Sequence, residues 1–317
     1  MAWRENATFG SVNVLKQLNL YGSVFPNPYG AQDYFVDGNA VTSGNGKGWG
    51  GAGNTNTPMN TLSEAITASN LTIVAAGNRW WARRNRIFCC GDQELTENLT
   101  IFPEKCDIIG VGFDVEAMPR ITGDHTIAAV ATGKARSTRW INCGFMAGST
   151  GETFHLTTDH MGIEFHGCKF WPLVTGSTHA IRLADDNRGF KFIDSDIYEH
   201  AGAPGTGIYA EGIKVEGNGQ HDMVFRGGSI YATEGIHIVA ATGGYNSICR
   251  DMIVRAVAIT INDAASLLVI ADTSLISDAD ANTITAGAVV NANLCNRVFL
   301  THSGTEEGEW IPQPQTD

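Results

Sequence analysis

Between residues 138 and 275 the chain repeats one short pattern of apolar and polar positions, at 138–145, 163–170, 190–197, 223–230, 246–253 and 268–275. Each copy opens with alternating apolar residues, the spacing of a strand that buries one face. A turn residue follows (Asn142, Gly167, Asp194, Gly227, Arg250, Asp272), then a small residue (Cys143, Cys168, Ser195, Gly228, Asp251, Thr273). A closing apolar side chain completes the unit: Phe145, Phe170, Ile197, Ile230, Ile253 and Leu275.

The closing positions advance by 25, 27, 33, 23 and 22 residues. A second column lies between them, made of the triplets Phe154-His155-Leu156, Ile181-Arg182-Leu183, Ile213-Lys214-Val215, Ile236-His237-Ile238 and Ile259-Thr260-Ile261. Its advance of 27, 32, 23 and 23 stretches in the same place, so one unit carries an insertion within 198–220. Two strands per repeat, a period of about 22 residues and no helical spacing predict an all-β fold, a right-handed single-stranded parallel β-helix. Outward side chains on successive rungs then stand about 4.8 Å apart. Arg139, Glu164 and Lys191 form one such column, and Lys169 and Asp196 another, with alternating signs that favour pairing across rungs.

Upstream of the repeat, residues 34–37 read as a strand, and a glycine-rich loop spans 43–56. That loop matches neither GxxxxGK[ST] nor GxGxxG, so it is a partner-contacting or mobile loop and not a phosphate cradle. Thr61-Leu62-Ser63-Glu64 is a capping box opening a short helix with Leu62, Ala65 and Ile66 on one face. Residues 71–74 read as a strand. A helix at this point covers the open end of the core and its strand edges. The chain therefore divides into an N-terminal arm (1–33), the β-helix (34–300, with strand, loop and capping helix to 75 and rungs from 76) and a Pro-rich tail (301–317).

Composition narrows the function. With 21 basic against 33 acidic residues the chain carries −12, which argues against nucleic acid or an anionic membrane as partner. The seven cysteines lack the spacing of a disulfide framework or a zinc site. Cys143 and Cys168 share one column and read as small inward fillers. The N-terminus has no apolar signal region and no stretch is long enough to span a bilayer, so synthesis in the cytoplasm without export or membrane insertion is expected.

The run Tyr34-Phe35-Val36-Asp37, glycine-rich loop, Pro58, Thr61-Leu62-Ser63-Glu64-Ala65-Ile66, Thr72-Ile73-Val74 and Ile108-Ile109-Gly110-Val111-Gly112 resembles the opening of pectin-lyase-like right-handed β-helices. It is similar in particular to those of phage virions, the tail spikes and capsid-associated proteins. The resemblance covers roughly residues 34–280 and implies the fold; the scaffold serves lyases, hydrolases and inert structural parts alike.

Cleavage of a polysaccharide needs two carboxylates flanking the bond, or a calcium-binding acid cluster with a base. The acids available are Asp185, Asp186, Asp194, Asp196, Glu199 and Glu211. Asp194 sits in the turn column, Asp196 opposes Lys169, and Asp185-Asp186-Asn187 has turn composition. Asp185, Asp186, Asp196 and Glu199 remain the catalytic candidates, for a lyase or a glycoside hydrolase.

The outward positions of the triplets, His155, Arg182, Lys214, His237 and Thr260, line up along one face. Such a stripe is either ordinary outward polarity or a seat for an anionic partner or an extended saccharide, with the histidines mostly neutral at pH 7. Trp80, Trp81, Arg83 and Arg84 belong to the densest aromatic and basic patch, a docking surface for an acidic protein or a Trp buried on the first rung. The expected function is a non-enzymatic virion component, a trimeric β-helical capsid decoration or spike held to capsid or tail proteins by its arm and needing no cofactor or metal. The alternative is a tail spike that binds, and possibly cleaves, a host surface polysaccharide.

Overall fold

The computed structural model describes residues 31–310 except 51–54, 76–83, 113–116, 128–135, 158–159, 174, 185–186, 203–206, 217–221, 240–246, 264–267, 278–297 and 303–306. In chain order it forms β1 (Asp33–Val36), α1 (Leu62–Ala75), β2 (Asn85–Cys90), β3 (Glu94–Thr96), β4 (Cys106–Val111), β5 (Arg120–Gly123), β6 (His125–Ile127) and β7 (Arg136–Ile141). There follow β8 (Gly144–Ala147), β9 (Glu152–Leu156), β10 (His160–His166), β11 (Lys169–Trp171), β12 (His179–Leu183), β13 (Asn187–Arg188), β14 (Lys191–Ile197) and β15 (Tyr209–Val215). The chain closes with β16 (Val224–Ile238), β17 (Ser247–Arg250), β18 (Ile253–Asp263), β19 (Leu268–Ala271), β20 (Thr273–Ser277), β21 (Val298–His302) and β22 (Glu307–Trp310).

Three columns of parallel strands wind around one core, so the fold is an all-β parallel solenoid as the repeat predicts. The first sheet stacks β1, β2, β4, β7, β10, β14, β16, β17 and β19. The second stacks β3, β5, β8, β11, β14, β16, β18, β20 and β21. The third stacks β6, β9, β12, β15, β16 and β18. The long strands β16 and β18 pass through more than one sheet. After β21 the chain turns back, and β22 pairs with it antiparallel, which folds part of the expected tail onto the last rung.

Inward positions form continuous ladders. Ile87, Ile108, Trp140, Phe165, Phe192 and Phe225 stand in register on the first sheet, and Leu95, Ile121, Phe145, Phe170, Ile197, Ile230, Val254 and Leu275 on the second. All are buried. Phe145 stacks on Phe170 at 5.0 Å and meets Phe154 edge-on at 4.8 Å, tying the second sheet to the third. Each such ring contributes roughly 1.5–3 kcal/mol through burial alone. Cys143 and Cys168 are free, fully buried thiols in neighbouring rungs. Burial pushes the Cys168 thiol up to about 12.

The turn column carries the corner between the first and second sheets. Asn142, Gly167, Asp194, Gly227, Asp251 and Asp272 all have left-handed φ. The residue after Gly227, Gly228, is also left-handed, and a Cβ there would run into the Ser195 backbone at 2.0 Å, so that position needs glycine. The expected turn residue Arg250 is one position early. Asp251 takes the left-handed turn, Met252 is buried, and Val254, not Ile253, closes the unit opposite Ile230. Ile253 points outward and is half exposed.

The helix is longer than expected, and residues 71–74 belong to it and not to a strand. Buried Leu62, Ala65, Ile66, Ser69 and Ile73 form one stripe at helical spacing, which carries the helix through to Ala75. Thr61 Oγ1 accepts from Glu64 N at the N-cap, while the Glu97 carboxylate accepts from Leu62 N and Ser63 N at the positive helix end. The helix packs on the first rung, where the Tyr34 hydroxyl donates to Ala68 O. The described part of the glycine-rich loop is pinned to β1, with Phe35 N donating to Gly46 O and Trp49 edge-on to Phe35.

Candidate functional site

The outer surface of the third sheet gathers four of the predicted binding residues, His155, Arg182, Lys214 and His237. Thr126, His155, Arg182, Lys214, His237 and Asn262 lie in one register. Thr260, expected in this stripe, is instead fully buried. An irregularity between Ala232 and Glu234 adds one residue to β18, and a one-residue slip reverses the face of every side chain beyond it.

A second outward column runs beside the first: Glu152, His179, Glu211 and Glu234. Strict alternation puts residues i and i+3 on opposite faces. Here two consecutive buried residues, Thr153-Phe154, Ala180-Ile181, Gly212-Ile213 and Gly235-Ile236, mark the corner at which each strand enters the sheet. The first of each pair is small because the corner is tight; a Cβ on Gly235 would approach Val254 Cγ1 to 2.4 Å and Thr260 O to 2.5 Å. The break in alternation places the i and i+3 side chains together outside. The sequence signal is an acidic or histidine residue three before each outward triplet residue, which the triplet pattern alone omits.

The two columns interlock. His155 Nδ1 lies 3.2 Å from Glu152 Oε2, and Arg182 spans from Glu152 (3.0 Å) to Glu216 (2.5 Å). Glu211 is the hub. Its Oε2 lies 2.5 Å from His179 Nε2 and 3.1 Å from Lys214 Nζ, and its Oε1 lies 2.5 Å from His237 Nδ1. His237 Nδ1 also approaches Glu234 Oε2 at 3.1 Å. Four carboxylates thus meet two permanent cations and three imidazoles, so the stripe is not a basic surface but a mixed and titratable one.

Burial opposes ionisation of Glu211, yet the bonds from His179, His237 and Lys214 overcome it and hold the carboxyl far below its ordinary range. The bond to Glu211 pushes His237 toward the cation against burial, with Glu234 helping. His155 goes the other way, because burial outweighs Glu152 and keeps it neutral. The two histidines of the stripe thus shift in opposite directions.

The remaining candidates are dispersed. Asp196 pairs with Lys169 and accepts from Tyr198 Oη (3.1 Å) and Ser229 Oγ (2.7 Å) on the second sheet. Glu199 lies in the connection after β14 and is half-buried. Arg84 binds Asp107 and donates to Ser137 O on the first sheet, where Arg84, Ser137, Arg139, Gly162 and Glu164 line an open cleft of 390 Å³. Asp185, Asp186, Trp80, Trp81 and Arg83 lie outside the described residues. Among the described residues no helix is long and apolar enough to cross a membrane.

No family model, no curated protein and no solved structure matches this chain.

Proposed function

We propose that the chain is a structural rod of a phage particle, a non-catalytic β-helical capsid decoration or spike that assembles as a trimer and attaches through residues 1–33. The observation that carries this reading is how the carboxylates are employed. Asp107, Glu164 and Glu211 each hold their charge against burial because cations on the same or neighbouring rungs bind them. Glycoside cleavage calls for the opposite, one carboxyl kept protonated as the acid beside a second one. Glu104 is the one described carboxyl shifted upward, by burial and against the pull of Arg136 and Lys105. The phage assignment rests on the resemblance of residues 34–112 to the opening of virion β-helices.

Mass spectrometry and electron cryomicroscopy of purified particles test the proposal. The chain is expected in the particle as three-fold clusters, and a monomeric chain absent from particles overturns it. A second reading is recognition of a host surface polysaccharide on the third sheet, whose outward column carries Arg182 and Lys214. Binding of capsule or lipopolysaccharide that is lost in the Arg182→Ala/Lys214→Ala double variant supports that role, unchanged binding removes it, and new reducing ends or unsaturated sugars establish cleavage.

A further inference from the structure

On the third sheet, three potential ligand atoms converge from two neighbouring rungs: His237 Nδ1, Glu211 Oε1 and Glu234 Oε2. His237 Nδ1 lies 2.5 Å from Glu211 Oε1 and 3.1 Å from Glu234 Oε2, and one ligand atom of each residue lies within 4.8 Å of the others. The geometry points to a divalent transition-metal site here, of the zinc type, that clamps β15 to β16.

The two oxygens of Glu211 have separate tasks. Oε2 is held by His179 Nε2 and by Lys214 Nζ, which fixes the carboxylate from behind. Oε1 is left facing His237, which Glu234 also approaches. Anchoring of a ligand's far side by a neighbouring donor is what orients metal ligands in built sites. The backbone is equally constrained, because Glu211 pairs with Glu234 and Lys214 with His237 in the same parallel ladder.

Charge supplies an independent argument. On this face Glu152, Glu211, Glu216 and Glu234 stand against Arg182 and Lys214 as permanent cations. A divalent ion would add positive charge where the Glu211 and Glu234 carboxylates approach His237. The ion takes the place of the Nδ1 proton of His237, which leaves to solvent. An ion with bonds of about 2.0–2.2 Å needs its ligands roughly 3.4 Å apart, so small side-chain rotations open the site, and water completes the coordination. One imidazole with two carboxylates suits zinc and its transition-metal neighbours better than calcium or magnesium, which prefer all-oxygen shells.

The test is calorimetric titration of the full chain with zinc chloride at about pH 8, where the imidazole is free to ligate. One ion per chain is expected. His237→Ala and Glu234→Gln are each expected to weaken binding by about tenfold or more. His166→Ala, which removes a histidine bonded to a single carboxylate on the first sheet, serves as the control and leaves binding unchanged. Circular dichroism melts confirm that each variant is folded. Cobalt substitution gives a second readout, with visible bands of nitrogen and oxygen ligation expected in the wild type and lost in His237→Ala. Absence of zinc binding, equal affinity in His237→Ala, or a near-ultraviolet thiolate-to-cobalt band revealing cysteine ligation overturns the proposal.

Discussion

Two outward faces of the same rod meet the same problem in different ways. On the first sheet, Asp33, Arg86, Asp107, Arg139, Glu164 and Lys191 follow one another in register with strictly alternating sign. Arg86 binds Asp33 at 2.8 Å, Arg139 binds Asp107 at 2.7 Å, and Lys191 binds Glu164 at 2.7 Å. Every cation in that column is a guanidinium or an ammonium group, and three of them stand against three carboxylates. On the third sheet, imidazoles stand in the column beside Arg182 and Lys214, and the balance depends on protons. Parallel stacking forces like positions to meet on every rung, and the residue chosen as cation decides whether the surface is fixed or responsive.

The largest expected effect lies in the fixed ladder. Asp107 is only 9% exposed and serves both Arg84 and Arg139. Asp107→Ala is expected to cost about 2–3 kcal/mol in chemical denaturation, since it leaves two half-exposed guanidinium groups without their shared acceptor. Because Arg139 and Arg84 hold Asp107 below the ordinary carboxylate range, its contribution is present above the unfolded value of 3.8 and is lost only as pH falls through the folded value. The cost of the variant is therefore the same between about pH 5 and 8, and a cost that varies across that window breaks the comparison.

Glu211→Gln, in the responsive face, is expected to cost about 1–2 kcal/mol at about pH 5.5, with a smaller loss at about pH 8.5. His237→Gln follows, at up to about 1 kcal/mol. The folded pKa of His237 lies above its unfolded value of 6.5, so its contribution is full below 6.5 and disappears as pH rises through the folded value. The two denaturation curves of wild type and His237→Gln are expected to converge at alkaline pH. Lys191→Met, at the exposed end of the fixed ladder, is expected to cost about 0.5 kcal/mol or less, and less again in about 1 M NaCl.

The lower half of the fixed ladder, Arg139, Glu164 and Lys191, and the Lys169–Asp196 pair were legible in the sequence, because period-two alternation within the repeat defines outward positions. The upper half, from Asp33 to Asp107, precedes the recognisable repeat, and only strand register joins it to the rest. On the third sheet the stripe from His155 to His237 was legible, but its acidic partners were not, since they sit across a corner where alternation breaks. Thr260 and Ile253 went astray for related reasons: a single extra residue in β18 and a turn one position later than the pattern suggests. The helix hid residues 71–74 because Leu71, Ile73 and Val74 read as a strand, while burial falls on Ile73 alone.

A histidine-selective nuclear magnetic resonance titration in metal-free buffer tests the contrast most directly. His237 is expected to titrate above 6.5 and His155 below it. Buried His125, whose Nδ1 accepts from Leu99 N, is expected to stay neutral down to about 4. In Glu211→Gln the His237 transition is expected to fall back while His125 does not move. Titration of all three imidazoles together near 6.5, unchanged by that substitution, would contradict the claim that Glu211 and burial drive the histidines of this sheet apart.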